Sequence, residues 1–198
     1  MSLRVAIEGI DSCGKATQAK LLAEWLDAAL FTFPDYDTPA GNLIHQHLRE
    51  EWWCANSLDD DYNRADSIDP MVFQALQTVN RFERLREIKN VHHERAIVFD
   101  RYTASGMVYG GLDGVDQNWI AHINMYLPPA DFQILIDIPV EESFKRRPER
   151  RDRIEIDREY LERIRLAYLT FFESQKHSAA VIKWHIIDGV GTVAEVQK

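Results

Sequence analysis

The chain of 198 residues is 45% hydrophobic and carries a formal net charge of -9. That is enough apolar material for one sizeable core, and the acidic balance argues against general binding of duplex nucleic acid, whose affinity rests on phosphate attraction. No apolar run approaches the roughly 20 residues of a membrane span and no N-terminal stretch has the form of a signal peptide; Cys13 and Cys54 alone cannot build a disulfide framework, so a reducing, cytoplasmic setting is expected.

Strand-like runs alternate with longer helical patterns. "LRVAIEGI" (Leu3 to Ile10) reads as a strand running into Gly9, and Lys15 to Leu30 shows a helical stripe of Leu21, Leu22, Trp25, Leu26, Ala29 and Leu30. "LFTFP" (Leu30 to Pro34) is a short strand candidate. Asp69-Pro70 is a helix start with proline in the first turn, followed by Val72, Leu76, Val79 and Phe82 at helical spacing, with Leu76 and Val79 expected inward and Gln77 and Arg81 on another, solvated face. "RAIVFDRY" holds a buried strand ending on Asp100, "FQILIDI" (Phe132 to Ile138) is another, and Tyr160, Leu161, Ile164, Tyr168, Phe171 and Phe172 mark a long helix before the last strand, "VIKWHIID". Such alternation implies an α/β domain with a parallel sheet covered on both faces. Ligands then sit at the carboxyl ends of the strands, which is where Gly9 to Lys15, Pro34 to Tyr36 and Asp100-Arg101 fall.

"IEGIDSCGKATQ" matches G-x-x-x-x-G-K through Gly9, Gly14 and Lys15. Glycines let backbone N–H groups wrap phosphate oxygens, Lys15 supplies charge, and the helix that follows points its positive end at the same place. Ala16 stands where that pattern has the Ser or Thr whose hydroxyl touches magnesium. Cys13 lies near a helix N-terminus, a setting that favours a thiolate; the simpler reading is a small residue at a variable position. Asp100 ends a strand where phosphate-loop enzymes place a Mg²⁺-holding carboxylate, the alternative being a helix cap beside a surface Arg101. "KRRPERRDR" (Lys145 to Arg153) packs six basic residues against two acids; a solvated helix, a nucleic-acid patch and a lid over phosphates compete as readings, with Pro148 against one unbroken helix. His45, His47, His92 and His93 lack metal-site spacing and read as surface or helix-end residues, and Trp52 and Trp53 as core or interface.

Together these segments resemble the thymidylate kinase family along almost the whole chain. The resemblance is carried by "IEGIDSCGKATQ", "FPDY" (Phe33 to Tyr36), "NRFE" (Asn80 to Glu83), "DRYTASGMVY" (Asp100 to Tyr109), "LPPAD" (Leu127 to Asp131), "DRIE" (Asp152 to Glu155) and "DGVGT" (Asp188 to Thr192). It implies a phosphate-loop, three-layer α/β fold over residues 1–198 with about five parallel strands and a lid near residues 145–155. It implies transfer of a phosphoryl group from ATP with Mg²⁺ to a deoxynucleoside monophosphate, dTMP foremost, by a homodimer with no nucleic-acid or membrane partner. On this likeness Gly9, Ile10, Asp11, Ser12, Cys13, Gly14, Lys15, Ala16, Thr17, Arg147, Arg153 and Gly189 meet ATP. Asp11, Phe33, Pro34, Tyr36, Phe73, Gln77, Arg81, Arg101, Ser105, Gly106, Tyr109 and Glu155 meet the acceptor, with Arg81 on its phosphate. Lys15, Asp11 and Arg101 are the catalytic candidates with Arg147, Arg150, Arg151 and Arg153, because the loop itself lacks an arginine and the lid must supply one; Asp100 is the metal candidate.

Gln77 stands where the family has a base-stacking Phe, and Ile154 where several members have a Tyr. These departures open dUMP or a modified pyrimidine nucleotide as acceptors. With Ala16 they also leave a non-catalytic nucleotide-binding protein as a rival reading, and an interaction module built on the basic segment as a third.

Overall fold

The computed structural model describes residues 2–49, 68–147, 158–176 and 182–197. Five strands form one parallel sheet: β1 (Arg4–Glu8), β2 (Ala29–Thr32), β3 (Ile97–Asp100), β4 (Phe132–Asp137) and β5 (Lys183–Asp188), in the order β2-β3-β1-β4-β5. Parallel neighbours require crossovers, and the helical patterns supply them. The registers pair Ile7 of β1 with Asp100 of β3, and Asp100 with Thr32 of β2. The carboxyl ends of the central strands therefore finish level, and the loops after them share one rim.

Alternation along the strands splits the core. Ile7 and Val98 face a layer built from Ala19 and Ala23 of α1 (Lys15–Trp25), Ala104 and Val108 of α5 (Thr103–Leu112), and Leu161, Ile164, Tyr168 and Phe172 of α8 (Arg158–Lys176). Those four α8 side chains are fully buried, each such burial being worth roughly 1.5–3 kcal/mol. Ala6, Ile97 and Phe99 face the other way, against Ile88 of α4 (Leu85–Asn90), Leu127 and Ala130, with Phe99 stacked on Tyr102 at 4.0 Å. A smaller cluster of Ile44, Leu48 and Phe73 joins α2 (Pro39–Leu48) to α3 (Pro70–Glu83). α6 (Gln117–Asn124), α7 (Val140–Arg146) and α9 (Val193–Val196) are the remaining helices among the described residues.

The expected helix start at Asp69-Pro70 is present, with the Asp69 carboxylate accepting from Met71 and Val72 N–H at 2.8 and 3.4 Å. The facing of α3 departs from the sequence expectation in part: Leu76 packs inward against Ile44, Leu48 and Phe73 as expected, but Val79 and Arg81 exchange places. Val79 is 47% exposed, whereas Arg81 is 2% exposed and sits with Phe73, Gln74, Thr78 and Asn80 on the inner side. The first helix stops at Trp25, which is 78% exposed; Ala29 and Leu30 of the proposed stripe belong to β2, while Leu22 and Leu26 of that stripe pack against the core beside Ala19 and Ala23. His45 and His47 stand in the last turn of α2, a helix end as expected, and His47 is buried there against Phe73. His92 and His93 are exposed as expected. Trp52, Trp53, Arg150, Arg151, Arg153, Ile154 and Glu155 lie outside the described residues. No helix among the described residues is long and apolar enough to cross a membrane.

Candidate active site

The loop after β1 is shaped by close approach. Gly9 has φ +148°, and a Cβ there would lie 2.6 Å from the Ile136 carbonyl oxygen and 2.7 Å from Cys13 Sγ; only glycine fits. α1 begins with Gly14 in the left-handed region and no side-chain cap, so its first N–H groups remain for anionic oxygens. Lys15 folds back over the loop, its Nζ donating to the Ile10 carbonyl at 3.2 Å and to Asp11 Oδ1 at 3.4 Å. Cys13 is buried, and that burial raises its pKa; the thiolate reading fails because desolvation outweighs the nearby cations.

Two cavities meet at this loop. One is lined by Asp11, Ser12, Cys13, Gly14, Lys15, Ala16 and Thr17 together with Arg146, Arg147 and the turn Gly191 to Val193. Of the described residues expected at ATP, Gly9, Ile10 and Gly189 do not line this cavity; Gly191 and Thr192, which were not among those expected, do. The second cavity brings together Asp11, Phe33, Pro34, Tyr36, Phe73, Gln77, Arg81, Arg101, Ser105, Gly106 and Tyr109, with Gln74 and Leu48 added. Every described residue expected at the acceptor therefore lines one space.

Asp11 belongs to both cavities. Arg101 Nη2 donates to its Oδ1 at 2.7 Å, and Arg101 Nη1 reaches the Tyr109 and Tyr168 hydroxyls, each at 3.4 Å. Burial would raise the Asp11 pKa, but Arg101 and Lys15 more than offset it and hold the carboxyl well below the usual range. Burial also raises the Tyr109 and Tyr168 hydroxyls well above their ordinary value, so both stay neutral. Arg101 adopts φ +63°, a conformation costing on the order of 1 kcal/mol for a side-chain-bearing residue. Its N–H bonds the Ile7 carbonyl at 2.9 Å, and the next N–H, of Tyr102, is taken by Glu8 Oε1 at 2.8 Å.

Glu8 is a residue that motif reading missed. It is 0% exposed and accepts from Ser105 Oγ at 2.6 Å and Tyr168 OH at 3.2 Å besides the Tyr102 N–H. It also acts electrostatically on Arg81 and Arg101. Its one signal in the sequence is an acid closing an apolar strand. Arg81 donates Nη2 to the Tyr102 carbonyl at 2.8 Å, while its Nε and Nη1 are buried without a partner among the described residues. Burial is the largest influence on Arg81 and lowers its pKa, with Glu8 acting against that. Arg146, passed over within the basic run, donates to the Cys13 carbonyl at 3.0 Å and the Gly189 carbonyl at 2.7 Å. It thereby ties α7 to the loop and to the turn after β5.

Asp100 does not cap the following helix, whose N-terminus has no side-chain cap. It is buried, with Oδ1 unpartnered among the described residues. No cluster of three or more His, Cys, Asp or Glu side chains among the described residues could hold an ion. One free carboxylate oxygen beside a phosphate loop fits a Mg²⁺ ion that keeps most of its water and phosphate ligands, and does not fit a cation caged by protein.

A family model described as thymidylate kinase matches residues 7–197. A probable thymidylate kinase of Pyrococcus abyssi is 31% identical over 202 residues, covering 98% of this chain and 91% of that protein. One from Pyrococcus horikoshii is 33% identical over 177 residues, covering 85% and 82%. In fold, the chain is similar to the thymidylate kinase of Candida albicans, with a TM-score of 0.72 at 24% identity, over 98% of this chain and 87% of that one. Sheet order, phosphate loop and paired cavities thus agree with the family match, and the chain belongs to the thymidylate kinase family, as a nucleoside monophosphate kinase using ATP.

Proposed function

We propose that this kinase moves the γ-phosphoryl group of ATP to the phosphate of dTMP, giving ADP and dTDP. The observation that carries the reading is the meeting of the two cavities at Asp11, with Lys15 on one side and Arg101 on the other. The amides of the loop and Lys15 grip the donor phosphates. Arg101 and the free N–H groups of Arg81 hold the acceptor nucleotide and offset its charge. Asp11 orients Arg101 and the acceptor sugar. Arg147 lines the donor cavity, and Arg150, Arg151 and Arg153 are proposed to close over the transferring group. No general base is required, because the acceptor phosphate is already an anion; positioning and charge stabilisation suffice.

The test is ADP release with ATP, Mg²⁺ and dTMP, dUMP, dCMP, dGMP or dAMP in turn. Turnover highest with dTMP is expected. ATP binding with silence across the panel would replace this reading with a binding protein. For the proposed homodimer, sedimentation at twice the 23.0 kDa chain mass is the expected result. A cytoplasmic location accompanies this reading.

Mg²⁺ belongs to the proposal as the ion that neutralises the donor phosphates. Asp100 would hold it, directly or through water. Ala16 lines the donor cavity without a hydroxyl to offer, so metal affinity is expected to be weaker than with serine there. Ala16→Ser should lower the Mg²⁺ concentration for half-maximal turnover and tighten nucleotide-linked Mg²⁺ binding read by calorimetry. Unchanged titrations in both would sink the idea.

A further inference from the structure

Gln74 is not needed by the phosphate chemistry, yet it stands on the wall of the acceptor cavity. It is 2% exposed, and its Oε1 is buried with no partner among the described residues. An acceptor left so is a desolvation cost, which the fold bears without any internal return. Room for this amide is made by α5. A Cβ on Gly110 would lie 2.9 Å from Gln74 Cγ, and one on Gly106 would lie 3.3 Å from Oε1 and 3.8 Å from Arg81 Nη1. Two glycines one turn apart thus make room for the amide, and Gly106 borders both its oxygen and the unpartnered guanidinium N–H.

We propose that Gln74 reads the base of the acceptor, its Oε1 accepting the N3–H of a 4-oxopyrimidine such as thymine or uracil. The inference rests on this cavity being the acceptor site. A phosphate is the wrong partner for Oε1, because both are acceptors. An imide edge supplies the N–H that is wanted. Cytosine has an acceptor at N3. The amide could turn to offer its NH₂ there, but Arg81 has donors only, so its N–H would then face the cytosine amino group. Gln74 and Arg81 together therefore present an acceptor and a donor, the complement of N3–H beside O4, so the inference puts Arg81 at the base rather than on the phosphate, where the resemblance had it.

The test compares kcat/KM for dTMP and dCMP in the wild type and in Gln74→Met, a substitution of similar volume. The dTMP to dCMP ratio is expected to fall about tenfold, equivalent to one hydrogen bond of about 1.4 kcal/mol. An unchanged ratio in an active variant overturns the inference alone. A wild type silent with every monophosphate overturns the acceptor reading and the inference with it. Should Gln74→Met fail to fold, wild-type protein decides the matter with N3-methyl-dTMP and 4-deoxy-dTMP, the latter lacking O4 and carrying an unprotonated N3. Efficiency reduced tenfold or more for both supports the contact, and efficiency equal to dTMP for either overturns it.

Discussion

Replacing Arg101 with alanine is expected to lower kcat on the order of 10³-fold or more, the scale seen when a guanidinium is removed from a phosphoryl-transfer site. The unfolding midpoint should move by only a few degrees. The residue is partly open to the cavity, and its backbone conformation is held by Ile7 and Glu8 rather than by its own side chain. Arg101→Lys should recover only part of the loss, since an ammonium keeps the charge and gives up the fork that reaches Asp11, Tyr109 and Tyr168 together. A second readout follows from Asp11. Its pKa is depressed in the folded protein by Arg101 and Lys15 against the pull of burial, so the stability it contributes is present above the unfolded carboxyl value and lost as pH falls through the folded one. Without Arg101 the folded value rises, and the acid limb of both stability and activity moves to higher pH. Wild-type turnover in Arg101→Ala would exclude the role; an unmoved acid limb would exclude the coupling to Asp11.

Glu8→Ala carries the largest expected cost in stability, about 3–5 kcal/mol, as when one partner of a buried charged network is deleted. Three donors, the Tyr102 N–H and the Ser105 and Tyr168 hydroxyls, lose their acceptor in a fully buried place, and the buried Arg81 loses a compensating charge. For a chain of this length the loss corresponds to roughly 10 °C in the midpoint. Glu8→Gln keeps the shape and one acceptor and should fall between. Urea unfolding reads the difference directly, and a Glu8→Ala protein within about 1 kcal/mol of wild type would show that the network is slack.

Five strands and the phosphate loop were legible because each strand is a short apolar run and the segments Gly9 to Lys15, Pro34 to Tyr36 and Asp100-Arg101 each follow one at its carboxyl end. The acceptor wall was legible from motifs, Phe33 to Tyr36 and Asp100 to Tyr109 above all. The facing of α3 was not. A hydrophobic period assumes that buried means apolar, but this helix turns Gln74, Thr78, Asn80 and Arg81 inward. Asn80 takes the Asp35 N–H at 2.8 Å and gives its own N–H groups to Thr38 Oγ1 at 2.7 Å and the Asp35 carbonyl at 3.0 Å, while Gln74 and Arg81 border a cavity. Val72 and Val79, the apparent core, are left outside. Glu8 was hidden for a different reason: its partners lie 94 to 160 residues away in sequence, and only the sheet order gathers them. The sequence pattern weighed the basic run as a whole, whereas the fold singles out Arg146 for stitching three segments together.

Because one carboxylate forms part of both cavities, the proposed reading puts a donor and an acceptor nucleotide on either side of a shared charge. Asp11 is gripped from the donor side by Lys15 and from the acceptor side by Arg101. An anion that draws either cation toward itself changes the field that the other nucleotide meets. Whatever factor the first nucleotide applies to the affinity of the second, the second must apply to the first. On the proposed roles of the two cavities, Asp11 is the side chain through which donor and acceptor would couple, with a sign set by whether the carboxylate holds the second cation more or less tightly once the first has turned to its nucleotide.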